Sequence, residues 1–533
     1  MRRHFLPAAM GLLLACASDG ATDSRSPFDG ASWWSHVKVL ADDAMEGRET
    51  GSEGLRKAEA YVVEQLTRSG LVPAGSNGFY QPVALVSRQI VEAESSAALV
   101  RDGKVEPLQL GEDGFFTTRV DLAPEPITAP LVFVGYGLQV PERSHDDLAG
   151  LDLRGKVVVL IAGSPAEIPT PLAAHYQTTG ERWKGLHAAG AIGIVSIPNP
   201  ASMDVPWSRM SLNRAHASME LTDAEFQETA GLKTQMFVNP ARAEKLFAGS
   251  GHTFAELATL ARDRKDLPRF PLAVSLQARA VVRKTPIACN NVVARLPGTD
   301  PVLKDEYVVL SAHIDHVGIG EPVNGDRIYN GAMDDGSGSA LLLDMAAELK
   351  AHPAARRRSI LFLFVTGEEK GLLGSKYFAA HPTVDRKAIV ADINVDMFQP
   401  IVPLKVLRVL GLDESDLGDR ARAIAEAMGV RAVPDPEPLR NLFIRSDQYN
   451  FIRRGIPSVI MDVGFEPGSP EQAVFKTWLT NRYHAPSDDV AQPVDLAAAA
   501  RYEEIVRRLL LDVANAEARP AWKPDSFFRR FQN

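Results

Sequence analysis

Cysteine is scarce in this sequence, which contains only Cys16 and Cys289 among 533 residues. Cys16 lies at the end of an N-terminal segment that reads as an export signal, so only Cys289 remains in the body of the protein. An intramolecular disulfide is therefore excluded, although disulfides are common in exported proteins. We predict that Cys289 is a small buried apolar residue rather than a catalytic thiol.

The sequence also lacks any concentration of positive charge. The 58 Lys and Arg residues are mixed among 67 Asp and Glu residues, and the net charge is -9. Without a basic stripe for a phosphate backbone, a nucleic-acid partner is excluded. A hydrophobic content of 45% and a charged content of 23% are ordinary for a globular protein. A chain of this length predicts two or three domains.

The N-terminus has the features of an export signal. Arg2 and Arg3 supply positive charge, and the apolar residues 5–15 are too few to span a bilayer. Residues 13–16 resemble a lipobox that would leave Cys16 lipidated, and residues 15–17 also fit an ordinary signal-peptidase site. We predict a signal peptide at 1–16, a tether at 17–32, and a periplasmic or outer-membrane lipoprotein anchored through Cys16, or alternatively a freely secreted protein.

The order of apolar segments predicts the domain organisation. Residues 52–69 have helical spacing, with Ser52 as N-cap and Gly70 as stop. Residues 120–270 contain short β-branched runs, which predict a β-rich domain inserted into a catalytic domain at 33–119 and 271–520. From residue 292 strands and helices alternate, which predicts a three-layer α/β sandwich on a mostly parallel sheet. Its strands are expected at 307–312, 360–366, 388–395, 405–410 and 457–462, and its helices at 339–351, 417–428 and 495–514.

Polar residues follow these strands where ligands usually bind in α/β proteins, beyond the carboxyl ends of the strands. Catalytic zinc takes nitrogen and oxygen ligands from His, Asp and Glu. No fragment is specific alone, because a single histidine or a pair of acidic residues is usually structural. The fragments are 311–316 with His313, Asp315 and His316; 331–338 with Asp334 and Asp335; 367–369 with Glu368 and Glu369; 394–397 with Asp396; and 483–488 with His484 and Asp488.

In their order and local context these five fragments resemble metallopeptidase family 28, the dinuclear zinc exopeptidases. Residues 40–51 and 291–298 also resemble segments of that family. The β-rich unit is similar to a protease-associated domain through the turn at 135–137, the strand start at 155–157 and the pair Gly190-Ala191. The family includes leucyl-type aminopeptidases and glutamate carboxypeptidases.

The resemblance implies two zinc ions that share Asp334. His313 and Asp396 would complete one site, and Glu369 and His484 the other. It also implies that Asp315 accepts a hydrogen bond from the far nitrogen of His313, that Asp488 supports its own loop, and that the bond between Asp334 and Asp335 is a cis peptide.

Within this resemblance Glu368 is the expected general base. It would take a proton from a metal-bound water and deliver it to the leaving amine. The neighbours of His316 and Asp335 already fill the expected ligand set, so we predict structural or outer roles for these two residues.

One departure from the family concerns the oxyanion. Some family members place a tyrosine shortly before a Ser-Asp pair, and this chain has Phe443 there, which cannot donate a hydrogen bond. Tyr449 and Tyr483 are the remaining candidates, and the sequence does not separate them.

The expected function is removal of the N-terminal residue of peptides. A carboxypeptidase of the same family is the alternative, because Arg440 and Arg445 lie near the expected crevice and could bind a free carboxylate. A non-catalytic binding protein on the same fold is the other alternative. It is disfavoured because all five ligands and the base are present.

Overall fold

The structure is a computed structural model that describes residues 26–117, 126–203, 205–215 and 217–532. The predictions for the signal peptide, for Cys16 and for most of the tether lie outside these residues. Among the described residues, no helix combines the length and the apolar character needed to cross a membrane.

The larger sheet has ten strands among the described residues. Its centre is parallel, because Ser359–Val365, Tyr307–His313, Ile389–Asn394 and Ser458–Val463 are consecutive parallel neighbours. The strands added on either side of this centre pair antiparallel to it, so the sheet is mixed rather than mostly parallel. The strand order is Ser218–Leu221, Tyr80–Ile90, Val282–Leu296, Ser359–Val365, Tyr307–His313, Ile389–Asn394, Ser458–Val463, Val406–Leu410 and Arg431–Val433, with Val72–Pro73 paired to Val282–Leu296.

Helices cover both faces of this sheet, which confirms the predicted α/β sandwich. Along the strand Tyr307–His313, Val308 and Leu310 pack into one apolar core, and Val309 packs into another. This alternation is the side-chain period of a β-strand buried on both faces. The helices of the domain are Ala31–Leu40, Glu53–Arg68, Ser337–Ala351, Leu373–Ala380, Asp416–Ala427, Gln448–Ile452, Pro470–Asn481 and Leu496–Asn515. Ser52 caps the second of them, as predicted.

Within the described part of the chain, eight strands form a second sheet with an apolar core of its own. It begins at Ser96 and ends at Arg279, so it is wider at both ends than the predicted 120–270. The likeness of this unit to a protease-associated domain stays a prediction. The strand order is Lys104–Leu108, Ser96–Arg101, Phe270–Arg279, Ile127–Phe133, Val157–Ile161, Gly193–Ile197, Thr234–Val238 and Gly114–Phe116, and its helices are Thr170–Gln177, Thr179–Ala188, Trp207–Met210, Glu244–Phe247 and Phe254–Arg262.

Glu503 of the last long helix and Asp344 of the helix Ser337–Ala351 form a buried acidic pair that makes stability depend on pH. Glu503 is fully buried and faces Asp344. Burial, followed by the negative charge of Asp344, raises the pKa of Glu503 well above its ordinary value. The folded state therefore holds this proton more tightly than the unfolded state does, and stability is lost as pH rises above the unfolded value.

We expect Glu503→Gln to raise the unfolding temperature at about pH 8 and to leave it nearly unchanged at about pH 4. Glutamine has nearly the same shape as glutamate but does not ionise, and each unit of raised pKa costs about 1.4 kcal/mol at a pH above both values. Thermal unfolding followed by circular dichroism across this range measures the effect.

Glu504→Gln is the matched control, because Glu504 pairs with Arg507 and Arg508 at 2.7 Å. Burial raises the pKa of Glu504, but the two arginines outweigh burial and lower it. Glu504→Gln removes the charge that pairs with them, so this variant is expected to lose stability at high pH. Equal pH profiles for wild type and Glu503→Gln would contradict the prediction.

Candidate metal centre

The parallel centre of the larger sheet brings the predicted ligand segments to one edge. His313 ends its strand, Glu368 and Glu369 follow the strand Ser359–Val365, and Asp396 follows Ile389–Asn394. Because these strands are adjacent and parallel, their carboxyl ends open onto the same crevice. Asp334 lies just before the helix Ser337–Ala351, and His484 follows the helix Pro470–Asn481.

Three side chains form the first ligand group. The Nε2 atom of His313 lies 3.3 Å from Asp334 Oδ1 and 3.4 Å from Asp396 Oδ1. His313 and Asp334 are almost completely shielded from solvent.

The second group uses the other oxygen of Asp334. The Nε2 atom of His484 lies 3.1 Å from Asp334 Oδ2 and 3.2 Å from Glu369 Oε2. The two oxygens of one carboxylate thus face two separate sets of donors.

These distances fit metal ions. Ligands at about 2.0 to 2.2 Å from a tetrahedral ion lie roughly 3.3 to 3.6 Å from one another, close to the 3.1 to 3.4 Å found here. Three of the buried atoms that face the two groups have no hydrogen-bond partner among the described residues: His313 Nε2, Glu369 Oε1 and Asp396 Oδ1. Burial lowers the pKa of His484, but Glu369 and Asp334 outweigh it and raise the pKa to about 10. The cluster therefore attracts positive charge.

Residues 291–510 match the model of peptidase family M28. These residues form an M28 peptidase domain. The resemblance seen in the sequence is confirmed for this part of the chain.

Two similar proteins extend the comparison. Carboxypeptidase Q of Xenopus laevis is 23% identical over 366 residues, which are 68% of this chain and 65% of that protein. Aminopeptidase YwaD of Bacillus subtilis is 28% identical over 213 residues, which are 38% of this chain and 41% of that protein. Each alignment thus spans less than two thirds of the relative's own length.

The fold is shared with a solved structure, the aminopeptidase from Aneurinibacillus sp. strain AM-1. That likeness has a TM-score of 0.53 at 17% identity, and it covers 93% of this chain and 95% of the other. The α/β architecture of the M28 domain is thereby confirmed.

His316 also reaches the second ligand group of the M28 domain. Its Nδ1 lies 2.8 Å from Glu369 Oε1 and 4.0 Å from Asp334 Oδ2. The first distance is short, but neither His316 Nδ1 nor Glu369 Oε1 has a hydrogen-bond partner of suitable geometry among the described residues. The second distance is too long for two ligands of one tetrahedral ion. His484 fits the ligand position better, because its Nε2 lies within 3.2 Å of both Asp334 and Glu369. The ligand roles of the five residues stay a prediction.

The predicted partner of Asp315 is wrong. His313 Nδ1 lies 3.0 Å from the main-chain oxygen of Asp315 instead of its carboxylate. The carboxylate accepts hydrogen bonds from the Thr50 hydroxyl at 2.9 Å and from the Glu368 N–H at 3.1 Å. The chain turns directly after the strand, which brings the carbonyl to the histidine and turns the carboxylate toward the base. Asp315 therefore holds the backbone of Glu368.

Buried residues brace the loop that carries Asp334. Asp488 accepts hydrogen bonds from the N–H groups of Met333 and Asp334 at 3.0 and 3.1 Å, so it supports this loop more than its own. The bond between Asp334 and Asp335 is cis, as the resemblance implies. Asp335 accepts bonds from the N–H groups of three segments, which agrees with the predicted structural role.

Sequence reasoning missed the role of Arg48. This residue is 1% exposed and donates to the carbonyl oxygens of Ile314, Asn330 and Gly331, and also to Leu40. It therefore ties together the two loops that carry the expected ligands His313 and Asp334. The only signal in the sequence is that Arg48 lies in the segment 40–51, which resembles the family.

Glu368 lines the crevice together with Asp334, Asp396 and His484. Burial raises its pKa well above the ordinary value, the charges of Asp396 and Glu369 add to this, and His313 opposes it. A carboxyl group with a raised pKa can both accept a proton and release it again, as a general base and acid must.

The structure separates the two tyrosine candidates. Tyr483 lines the crevice, and its ring stacks on His484 with centroids 4.0 Å apart. Tyr449 is buried elsewhere, where its hydroxyl lies 2.9 Å from His175 Nδ1. Phe443 packs against Phe528 at 5.2 Å. Only Tyr483 of these three can reach a substrate bound at the metal groups.

The rest of the crevice is aromatic and basic. Phe465, Phe475 and Trp478 form an apolar wall, and Arg440 and Arg445 line the same space. The arginines therefore lie where the sequence analysis expected them. The crevice can bind a peptide end that combines an apolar side chain with a charged group.

Proposed function

We propose that this protein is a zinc-dependent exopeptidase that removes the N-terminal residue of peptides. The observation that carries the proposal is the placement of the two Asp334 oxygens, one 3.3 Å from His313 and the other 3.1 Å from His484. A carboxylate placed in this way suits two adjacent cations, which in hydrolases lie about 3.5 to 4 Å apart.

The chain's own residues would carry the proton. His313, Asp334, Asp396, Glu369 and His484 would hold two zinc ions, whose positive charge would polarise the scissile carbonyl and make a water molecule more acidic. Glu368 then takes a proton from the attacking water and gives it to the leaving amine. The hydrogen bond that the Glu368 N–H donates to the Asp315 carboxylate keeps the side chain of Glu368 directed into the crevice. Tyr483 is placed to donate a hydrogen bond to the developing oxyanion.

A carboxypeptidase is the second candidate. Arg440 and Arg445 line the crevice beside Glu368, and arginine binds carboxylates through two parallel hydrogen bonds. The similar protein from Xenopus laevis is named a carboxypeptidase. In this alternative the same zinc pair and the same base act at the other end of the peptide.

A peptide panel with blocked ends distinguishes the two candidates. We expect aminoacyl anilides and C-terminally amidated dipeptides to be hydrolysed, and N-acetylated dipeptides with a free carboxylate to be left intact. Loss of activity with a chelator and its return with zinc is the accompanying control. Cleavage of the N-acetylated peptides alone would establish the carboxypeptidase.

The non-catalytic alternative is tested by the same preparation. A binding protein that has lost its metals would be favoured by two results together. These are less than about one zinc per chain after zinc-supplemented purification and no turnover on either half of the panel.

A further inference from the structure

An arginine of the second domain contacts the loop that carries His484. Arg209 lies in the short helix Trp207–Met210, and its Nη1 donates to the carbonyl oxygen of Thr480 at 2.6 Å. Its Nη2 donates to the carbonyl oxygen of Tyr483, the residue directly before His484. One guanidinium thus holds two carbonyls on either side of the turn between the helix Pro470–Asn481 and His484.

This loop is the least enclosed part of the ligand set. The side chain of His484 is 35% exposed, and those of the other four ligands are between 1% and 12% exposed. The backbone of His484 has φ of 49°, a left-handed conformation that costs energy for residues with a side chain and persists only where surrounding structure enforces it. Carbonyls at the end of a helix also lack partners within that helix. Arg209 supplies a hydrogen-bond donor to the carbonyl of Thr480 at the end of the helix Pro470–Asn481.

The arginine is itself held in place by the second domain. The indole Nε1 of Trp207 donates to the carbonyl oxygen of Gly111 at 3.0 Å. The indole also packs on Phe115 with centroids 5.5 Å apart, and Phe115 lies in the edge strand of the second sheet. The position of Arg209 is therefore set by the second domain, and its hydrogen bonds fall on the M28 domain.

We propose that Arg209 is a positioning residue through which the second domain sets the geometry of His484 for metal binding. This inference rests on the proposed function, since it takes His484 as a zinc ligand. Without Arg209 the carbonyls of Thr480 and Tyr483 would bind water, and the loop would populate other backbone conformations. A ligand that must be ordered upon binding contributes less affinity than a preorganised one. Loss of residues that orient metal ligands typically costs 10- to 100-fold in metal affinity.

Zinc titration of the metal-free protein against a competing chelator tests the proposal. The wild type is expected to bind two ions. Arg209→Ala is expected to bind one of them about 10- to 100-fold more weakly, and to bind the ion of the His313 group with unchanged affinity. Arg209→Lys is expected to be intermediate, because a lysine can reach one carbonyl but does not reproduce the planar fork of arginine.

Arg214→Ala is the matched control. Arg214 lies five residues further along the same segment, but it contacts Glu92 at 3.0 Å and the carbonyl oxygen of Ser211 at 2.9 Å, both outside the M28 domain. This variant is expected to bind both ions like the wild type. Hydrogen exchange of residues 480–488 in the metal-free state provides a second measurement, and we expect it to be faster in Arg209→Ala alone.

The results separate this inference from the proposed function. The positioning role would be overturned if Arg209→Ala bound two ions with wild-type affinities and if hydrogen exchange of residues 480–488 were unchanged. The exopeptidase proposal would then still stand. A wild type that binds no zinc would overturn both. Equal losses in Arg209→Ala and Arg214→Ala would also overturn the proposal, because the effect would then come from the segment as a whole.

Discussion

Replacing Glu368 with glutamine is expected to lower kcat by about 100- to 10,000-fold, the usual contribution of a general acid and base. Glutamine has nearly the same shape, but it cannot accept the proton of the attacking water. The five expected ligands are untouched, so the zinc content is expected to stay at the wild-type value. Turnover of a hydrolysed aminoacyl anilide, measured beside bound zinc in the same sample, gives both quantities.

Glu49→Gln is a suitable comparison for this variant. Glu49 lies near the same edge of the sheet, but its carboxylate pairs with Lys370 at 2.8 Å. Glu49 is not one of the described residues that line the crevice. We expect it to retain activity within a few-fold. Retained turnover in Glu368→Gln, with zinc bound, would assign the proton transfer to another group.

Replacing Asp334 with asparagine is expected to have the widest effect on metal binding. One oxygen of Asp334 faces each ligand group, so the loss of this negative charge weakens the binding of both ions at once. We expect less than about one zinc per chain after gel filtration and turnover near the background rate. The stabilisation of the wild type by added zinc, seen as a rise in unfolding temperature, is expected to disappear as well.

Asp396→Asn is the informative comparison, because Asp396 faces only the first group. This variant is expected to bind the ion of the first group more weakly and to bind the other ion with unchanged affinity. Equal zinc loss in the two variants would show that both ions depend on the first group alone, and full zinc retention in Asp334→Asn would refute the shared carboxylate.

The alternation of strands and helices was readable from the sequence because it depends on local periodicity. Apart from Ser311 and Thr366, the runs 307–312 and 360–366 are apolar throughout, which indicates burial on both faces, and the helices at 339–351 and 495–514 keep apolar residues at helical spacing. The elements found differ from these predictions by one or two residues. The extent of the second sheet was not readable, because the strands from Ser96 to Leu108 do not reveal in sequence which sheet they join. Pairing of that kind is decided by residues far away in the chain.

The sequence by itself determined which residue types are available for a zinc pair, their order, and the base beside them, because each follows a strand or opens a helix. Only the tertiary structure decided between His484 and His316 as the better-placed ligand, between Tyr483 and Tyr449 at the crevice, and between the carbonyl and the carboxylate of Asp315 as the partner of His313. It also revealed Arg48 and Arg209, which act through backbone carbonyls of distant segments. The physical reason is that a hydrogen bond or a metal ligand requires distances within a few tenths of an ångström, and such distances between remote segments are set by packing of the whole domain.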